Sequence, residues 1–144
     1  MIFHLHSHMR EEILAYGHPN ITAKHRSTMQ LTKETDISVR ADCIIGVRAN
    51  KSVYDMSDPL KTHLLEGGEV EISLTVNGLS FSLRARGDSR LVFSNKLDSV
   101  IRRSNYVDDR TLAVEATAAA KDIPRDLVKE LRDPRTVLIV EILF

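Results

Sequence analysis

The chain contains two segments that share one pattern at a constant spacing. Residues 45–76 align with residues 112–143 at an offset of 67, without a gap. Matching residues recur along this alignment, among them Val47 with Val114, Ala49 with Ala116, Leu60 with Leu127 and Val70 with Val137. Both segments follow the order strand, helix, strand. The spacing predicts an internal duplication, and this feature constrains the fold more than any other.

Each segment carries signals for one helix. In the first, Ser57 or Asp58 is the expected cap, Pro59 suits the first turn, and Gly67-Gly68 ends the helix. In the second, Asp122 or Ile123 precedes Pro124, and Asp133-Pro134 ends the helix. The spacing of apolar residues predicts two buried stripes, formed by Leu60, Leu64 and Leu65 and by Leu127, Val128 and Leu131.

The remaining segments indicate strands. Asn77-Gly78 lies between alternating apolar runs and predicts a hairpin that joins the two halves. Residues 21–32 alternate loosely and predict a long or bulged strand. Residues 42–47 are apolar in succession, which favours a central strand covered on both faces. Residues 96–104 have helical spacing, whereas the repeat implies a strand there.

The repeat extends backwards when the offset becomes 70. Gly17 then falls on Gly87, with three residues lost from a loop. Each half is predicted to be a β-β-β-α-β unit, and the two units are related by a pseudo-twofold axis. The expected fold class is α+β, with two helices on a mostly antiparallel, barrel-like sheet, because closing a sheet removes its exposed edges. An open two-layer α+β sheet is the alternative.

Composition favours one ordinary domain. The chain has 144 residues, and 42% of them are hydrophobic, which is enough to fill a core. Twenty basic and twenty acidic residues cancel, so any attraction for nucleic acid must come from a local patch. The single cysteine, Cys43, the lack of a long apolar run and the lack of a signal-peptide pattern predict a cytoplasmic protein without a membrane contact.

The first eight residues differ from the rest. His4, His6 and His8 alternate along this stretch and would point the same way on an extended segment, where they could bind a divalent metal. A loose terminus, or a start codon upstream of a true start at Met9, explains the stretch more simply. We therefore expect an extension over residues 1–8 and one domain over residues 9–144, with repeats at about 9–78 and 79–144.

An ordered set of short motifs resembles a known family. The segments Gly17-His18-Pro19-Asn20-Ile21, Asp42 to Val47, Arg86-Gly87-Asp88, Ile101 to Ser104 and Arg110-Thr111-Leu112 occur in the order typical of an archaeal family catalogued as domain of unknown function number 371. The resemblance covers nearly the whole chain from Met9 onward. This sequence departs from the pattern at Ala41, Asn50 and Ala118. The resemblance implies archaeal origin and a shared fold, but no activity or cofactor.

Four residues of the first half are candidates for chemistry. His18, His25, Asp42 and Cys43 carry the imidazole, carboxylate and thiol groups that zinc and iron sites use, with His18 and His25 as the first choices for a metal. Alternatively, Cys43 or Ser27 could be a nucleophile that His25 activates and Asp42 orients. In the simplest interpretation, His18 orients a turn and Cys43 packs as a small apolar residue.

A third possibility is an anion site built from basic and polar residues. Arginine suits phosphate or carboxylate groups because its planar guanidinium donates two parallel hydrogen bonds. The candidate ligand-binding residues are Asn20, Lys51, Asp88, Arg90, Arg102, Arg103 and Arg110. Nucleic acid is a less favoured partner, because the chain has seven aromatic residues and basic residues do not alternate with them along the sequence.

Two functional hypotheses follow. The first is a binding module that holds an anionic small molecule, of the phosphate or nucleotide class, in a cleft between the two repeats. The second is an enzyme, such as a metal-dependent hydrolase, that uses the polar residues of the first half; a structural or protein-interaction role comes third. We base both main hypotheses on residues that have no counterpart in the other repeat.

Overall fold

The computed structural model describes residues 9–144, which form eight strands and two helices. The strands and helices, in chain order, are β1 Arg10–Tyr16, β2 Thr28–Thr32, β3 Ile44–Gly46, α1 Asp58–Leu65, β4 Glu69–Val76, β5 Leu79–Arg86, β6 Asp98–Arg102, β7 Thr111–Ala113, α2 Arg125–Leu131 and β8 Val137–Leu143. Short 3₁₀ turns at Val53–Asp55 and Ala120–Asp122 precede the two helices. The α+β class predicted from the sequence is confirmed.

Four strands in the order β1-β8-β4-β5 form the first sheet, which we call sheet A. All its neighbours are antiparallel. The hairpin between β4 and β5 turns at Asn77 and Gly78, with φ angles of 48° and 82°. Two successive left-handed residues are typical of a type I′ turn, whose twist matches that of the strands. The predicted hairpin between the halves is confirmed.

The other four strands, in the order β3-β2-β6-β7, form sheet B. Its central pair, β2 and β6, is antiparallel, whereas β3 and β7 run parallel to their neighbours. The prediction that residues 42–47 form a central strand was wrong, because β3 lies at an edge. Its apolar residues are nevertheless buried, since chain segments outside the sheet cover this strand. Burial on both faces therefore does not require a central position.

The predicted barrel was wrong, and the open two-layer alternative fits. Among residues 9–144, sheets A and B are joined only by isolated bridges between Tyr16 and Val47 and between Arg86 and Val114. A closed barrel needs continuous pairing around its circumference. The bridges are short because the chain bends sharply beside them, with Arg48 and Glu115 in the left-handed region at φ 51° and 52°.

The helices begin and end largely as predicted. Ser57 caps α1, because its Oγ accepts a hydrogen bond from the Leu60 amide at 3.3 Å. Leu60 and Leu64 are buried, but Leu65 is 40% exposed, so its place in the buried stripe was predicted wrongly. All three predicted stripe residues of α2 are buried. Both helices contribute to one core cluster, which also contains the inward-facing residues of both sheets.

The two halves follow the same order of elements. β1, β2, β3, α1 and β4 are succeeded by β5, β6, β7, α2 and β8. Unusual backbone angles recur as well, because Ala23 and Phe93 are both left-handed and lie 70 residues apart. The common ancestry of the halves is not tested by this geometry and stays a prediction.

The structure corrects one predicted strand and decides between helix and strand for residues 96–104. Residues 21–27 are not a strand, and only Thr28–Thr32 is extended and paired. The left-handed Ala23 interrupts the alternation, which residue types alone did not reveal. In residues 96–104, the repeat was the correct guide, because Asp98–Arg102 form β6.

Residues 1–8 lie outside the described residues, and so does the alternating group His4, His6 and His8. The division into an extension and a domain stays a prediction. None of the helices in residues 9–144 has the length and apolar character needed to cross a membrane. The cytoplasmic location also stays a prediction.

Candidate functional site

His18 lies in the turn after β1, where it orders the backbone. Its Nδ1 accepts a hydrogen bond from the Asn20 amide at 3.0 Å. The opposite nitrogen, Nε2, lies 2.8 Å from Oδ1 of Asp36. Asn20 continues the same turn network, since its Nδ2 donates to the Ile37 carbonyl at 2.8 Å. These contacts attach the turn to the segment that follows β2.

His25 performs a similar task before β2. Its Nδ1 accepts from the amides of Ser27 and Thr28 at 3.2 Å each and lies 2.9 Å from Oγ1 of Thr28. A ring nitrogen that accepts backbone hydrogen bonds has its lone pair already engaged in those bonds. His25 and His18 are not joined by a hydrogen bond, and neither contacts the Cys43 thiol.

Both histidines have functional equivalents in the second half. At an offset of 70, Oδ1 of Asp88 accepts from the Arg90 amide at 2.9 Å, as His18 does from Asn20. Oδ1 of Asn95 accepts from the amides of Leu97 and Asp98 at 2.9 and 2.8 Å, as His25 does from Ser27 and Thr28. The histidines thus have no histidine counterpart, but a different residue caps the equivalent turn in the second half. Their observed contacts are those of turn caps.

The Cys43 thiol is partly buried beside β2. Its Sγ donates to Oε1 of Gln30 at 3.4 Å. Burial, and then the negative charge of Asp42, raise the pKa of Cys43 above its usual value. A thiol with a raised pKa stays protonated at neutral pH, and the protonated form is a poor nucleophile. The other candidate nucleophile, Oγ of Ser27, lies 3.4 Å from Nδ1 of His25. The nucleophile hypothesis stays an untested prediction.

The predicted metal site also gains no support from the geometry. Within the described part of the chain, no three histidine, cysteine, aspartate or glutamate side chains are grouped as metal ligands. His18 and His25 each use a ring nitrogen for a local backbone contact. Metal binding by these residues stays a prediction.

Three of the predicted basic residues are paired with separate carboxylates. Nζ of Lys51 lies 3.1 Å from the buried Glu11, which also accepts from the Ser57 amide at the start of α1. Arg90 forms two hydrogen bonds with Asp88, at 2.9 and 3.0 Å, and these hydrogen bonds lower the pKa of Asp88 to about 2. Arg103 lies 3.3 Å from Asp122. These pairs lie in different places, so the predicted anion site is not one cluster.

Arg102 and Arg110 do lie together, around one carboxylate. Arg110 donates to Oδ2 of Asp108 through Nε at 3.2 Å and Nη2 at 3.1 Å. Arg102 donates through Nε to Oγ1 of Thr111 at 2.9 Å, and Thr111 donates in turn to Oδ1 of Asp108 at 3.0 Å. The Tyr106 ring covers the Arg102 guanidinium, with 4.9 Å from Cζ to the ring centroid. We call Arg102, Tyr106, Asp108, Arg110 and Thr111 the Arg102 cluster.

The electrostatics of the Arg102 cluster favour ionised groups. Burial raises the pKa of Asp108, but hydrogen bonds from the Arg110 amide and from the Arg102, Arg110 and Thr111 side chains outweigh it and lower the pKa to about 2. The side chain of Arg102 is only 8% exposed. Its Nη2 lies 3.0 Å from Oδ1 of Asp108, yet no acceptor in residues 9–144 is aligned with its N–H groups. The cluster thus contains a buried donor that is incompletely bonded.

Comparison with known proteins places the chain in a family. Residues 13–144 match the family model described as Domain of unknown function (DUF371). The chain belongs to this family. An uncharacterized protein of the archaeon Methanocaldococcus jannaschii is 36% identical over 126 residues, which cover 88% of this chain and 93% of that protein. The predicted resemblance is confirmed, and the DUF371 description assigns no activity.

Sequence reasoning missed three members of the Arg102 cluster in this DUF371 chain. Tyr106 and Asp108 were not among the candidate residues, and Thr111 entered only as part of a family motif. One signal was available, because Asp108 and Arg110 are two residues apart, the same spacing as the paired Asp88 and Arg90. The contacts to Arg102 depend on the path of the loop between β6 and β7, which the spacing does not give.

Proposed function

We propose that the protein binds an anionic small molecule, of the phosphate or carboxylate class, with Arg102 as the main donor. The observation that carries the proposal is the buried Nη2 of Arg102, which lies 3.0 Å from Oδ1 of Asp108 but donates no well-aligned hydrogen bond within residues 9–144. A buried guanidinium nitrogen whose ion pair is poorly aligned is costly, because it has replaced its lost hydration only in part. An anionic oxygen placed at this nitrogen would supply the missing bond.

The charges of the Arg102 cluster support an anionic ligand. Two guanidinium groups share the single carboxylate of Asp108. One positive charge is therefore left without a partner inside the cluster. Arginine pairs with phosphate and carboxylate through two parallel hydrogen bonds, and such charged bonds are about twice as strong as neutral ones. A second anion would balance the cluster and gain strong bonds.

The position of the cluster supports a site between the two halves. Arg102 lies opposite Thr28 in the β2–β6 pair, where the first half meets the second. Side chains two residues apart on a strand share a face, so Gln30 lies on the same face as Thr28. The Cys43 thiol donates to Gln30 from the neighbouring strand region. Polar groups from both halves thus lie on the face of sheet B that carries Arg102.

Tyr106 controls access to the proposed site. Its side chain is 59% exposed, although its ring packs over the buried guanidinium. The loop that carries it connects β6 to β7 and lies on the surface. A ligand reaches Nη2 when this ring moves aside, and the loop can move without disturbing the strands.

The test is a thermal-shift titration with inorganic phosphate and, separately, with a nucleoside triphosphate. We expect either anion to raise Tm, because a ligand at about 100 times its Kd stabilises the native state by roughly 2.7 kcal/mol. Arg102→Met should abolish the response. Arg103→Met is the matched control, since it removes an equal charge from the neighbouring residue, which pairs with Asp122. The control should respond as the wild type does.

Two results would refute the proposal. The first is a wild-type protein whose Tm does not change with either anion. The second is an equal response in the Arg102→Met and Arg103→Met variants, which would indicate general charge screening. Circular dichroism of each variant without ligand shows whether it is folded, and Arg102→Lys provides a second variant that keeps the charge but loses the planar donor.

A further inference from the structure

A second basic surface lies around Tyr54, in the 3₁₀ turn before α1. The Tyr54 side chain is 49% exposed. Nζ of Lys96 lies 4.9 Å from the centre of its ring, and Nζ of Lys61 lies 5.6 Å away. We call Tyr54, Lys61 and Lys96, with the exposed Val92 and Leu97 from the chain around Lys96, the Tyr54 patch.

The fold assembles this patch from both halves of the chain. The Tyr54 amide donates to the Asn95 carbonyl at 3.3 Å, which holds the first-half turn against the loop that leads into β6. Lys61 extends from α1, and its Nζ donates to the Tyr54 carbonyl at 2.9 Å. Two basic residues from separate elements therefore lie beside one aromatic ring, although neither is adjacent to it along the sequence.

The lysines of the patch retain their positive charge for a ligand. Neither Lys61 nor Lys96 forms an ion pair within the portion of the chain that the structure describes. Asp55, the residue next to Tyr54, is already paired with Lys33 at 2.7 Å. Asp109, near Lys96 in the fold, accepts a hydrogen bond from Asn95 at 3.2 Å. Asp55 is thus already paired with another lysine, and Asp109 is bonded to a neutral amide.

We propose that the Tyr54 patch binds single-stranded nucleic acid. In such sites an unpaired base stacks on an aromatic ring while basic side chains contact the phosphates, and stacking tolerates any base. Tyr54 supplies the ring, and Lys61 and Lys96 supply the charges on either element beside it. The lysines leave the ring for the phosphates when a base arrives, since ammonium groups gain more from a phosphate than from a ring.

The shape of the patch favours nucleic acid over a membrane or an acidic peptide. A turn and a loop form the patch, whereas proteins that lie on membranes usually insert one apolar face of a longer helix. Only Val92, which is 60% exposed, and Leu97 add apolar surface. An acidic peptide would use the lysines but would leave the exposed ring without a stacking partner.

The second half offers a matched control. At the offset of 67, Lys121 is equivalent to Tyr54 and Val128 to Lys61. At the offset of 70, Arg26 is equivalent to Lys96. The equivalence is structural as well, because the Lys121 amide donates to the His25 carbonyl at 3.0 Å, as the Tyr54 amide does to Asn95. This second surface carries basic side chains, of which Lys121 lies 3.6 Å from Asp122, and it has no ring at the position of Tyr54. It therefore separates the effect of charge from the effect of stacking.

The experiment is fluorescence anisotropy with a labelled, unstructured oligouridine of about 12 nucleotides at low salt. We expect saturable binding that weakens as salt rises. Tyr54→Ala should weaken binding about tenfold, and Tyr54→Phe should restore it, since stacking is worth about 1–3 kcal/mol per base and phenylalanine also stacks. The double variant Lys61→Ala/Lys96→Ala should weaken binding and lower the salt dependence. Lys121→Ala should change binding less than twofold.

Several outcomes would overturn the proposal. These are no binding of the oligonucleotide, equal losses in the Tyr54→Ala and Lys121→Ala variants, or tighter binding to a duplex of the same length. Stronger binding to vesicles that contain phosphatidylserine would assign the patch to a membrane surface instead. Far-ultraviolet circular dichroism and Tm confirm that each variant is folded. Tyr54 is half-exposed, so its replacement leaves the core intact.

Discussion

The connection from β6 to β7 can be compared with the connection from β2 to β3, its equivalent in the first half. In the second half, Arg102 and Asp108 form a partly buried ion pair. Thr32 and Ala41 occupy the equivalent positions in the first half. The Ile44 amide donates to the Ala41 carbonyl as the Thr111 amide donates to the Asp108 carbonyl, both at 3.2 Å, whereas the side chains differ in charge. The shared contacts therefore maintain the fold, and the differences show where the halves have separate chemistry.

The largest expected effect comes from breaking the ion pair that only the second half contains. Asp108→Ala leaves the buried Arg102 without its carboxylate, which costs about 3–5 kcal/mol of unfolding free energy. Urea unfolding measures this loss. Asp109→Ala is the control, because Asp109 is exposed and adjacent, and it should cost less than about 1 kcal/mol. Arg102→Met/Asp108→Ala should recover most of the stability; a double variant as unstable as Asp108→Ala would contradict the ion-pair account.

Substitutions at Gly17 and Gly87 test whether the turns after β1 and β5 are equivalent. A Cβ at Gly17 would collide with the Asp133 carbonyl oxygen, and a Cβ at Gly87 would collide with the Leu64 carbonyl oxygen. Both obstacles are backbone atoms at the ends of the helices, so they cannot move as side chains can. Gly17→Ala and Gly87→Ala should each cost about 1–3 kcal/mol or more. If only one variant loses stability in thermal unfolding, the two turns are not equivalent.

The pH dependence of stability should also differ when the cluster is removed. The pKa of Asp108 is lowered to about 2, so its stabilising effect is present above its unfolded pKa of about 4. This effect disappears as pH falls from about 4 to about 2, and amounts to about 2 kcal/mol. Arg102→Met/Asp108→Ala should lose less stability over this range than the wild type. The pKa of Asp88 is also lowered to about 2, but Asp88 is present in both proteins, so its contribution to the difference in stability cancels. Parallel curves of stability against pH for the two proteins would contradict the prediction.

The smallest difference in stability loss between the two halves is expected at the two 3₁₀ turns. Oδ2 of Asp55 accepts from the Ser52 amide at 2.9 Å, and Oδ2 of Asp122 accepts from the Ala119 amide at 2.9 Å. Replacing either aspartate by alanine removes one such cap and should cost about 1 kcal/mol. We expect thermal unfolding to give nearly equal losses. A loss more than twice as large at one site would show that the ion pairs with Lys33 or Arg103 contribute unequally.

The features predicted correctly depend on local signals. Asn77-Gly78 specifies its turn through two residues that tolerate positive φ, and Ser57 caps α1 through a contact three residues away. Neither needs information from distant parts of the chain. The helices and the hairpin were therefore recognisable from residue types and spacing.

The errors concern properties that depend on the whole fold. The apolar run in residues 42–47 indicated that β3 is buried, but it could not show whether the strand lies at the centre or at the edge of its sheet. The left-handed Ala23 carries no distinctive residue type, so the bend before β2 was missed. For the same reason, the contact between Arg102 and Asp108 required knowledge of the loop path. The turn-capping roles of the histidines became clear only when equivalent hydrogen bonds were compared.

The position of β8 has a consequence for the order of folding. β8 lies between β1 and β4 in sheet A, and residue 10 is paired with residue 143. Such distant pairing raises the contact order, which slows folding. On a ribosome, β1 and the hairpin of β4 and β5 are made before β8, and β1 precedes β8 by more than half of the chain. During this interval, their open edges are the surfaces most exposed to aggregation and to chaperones.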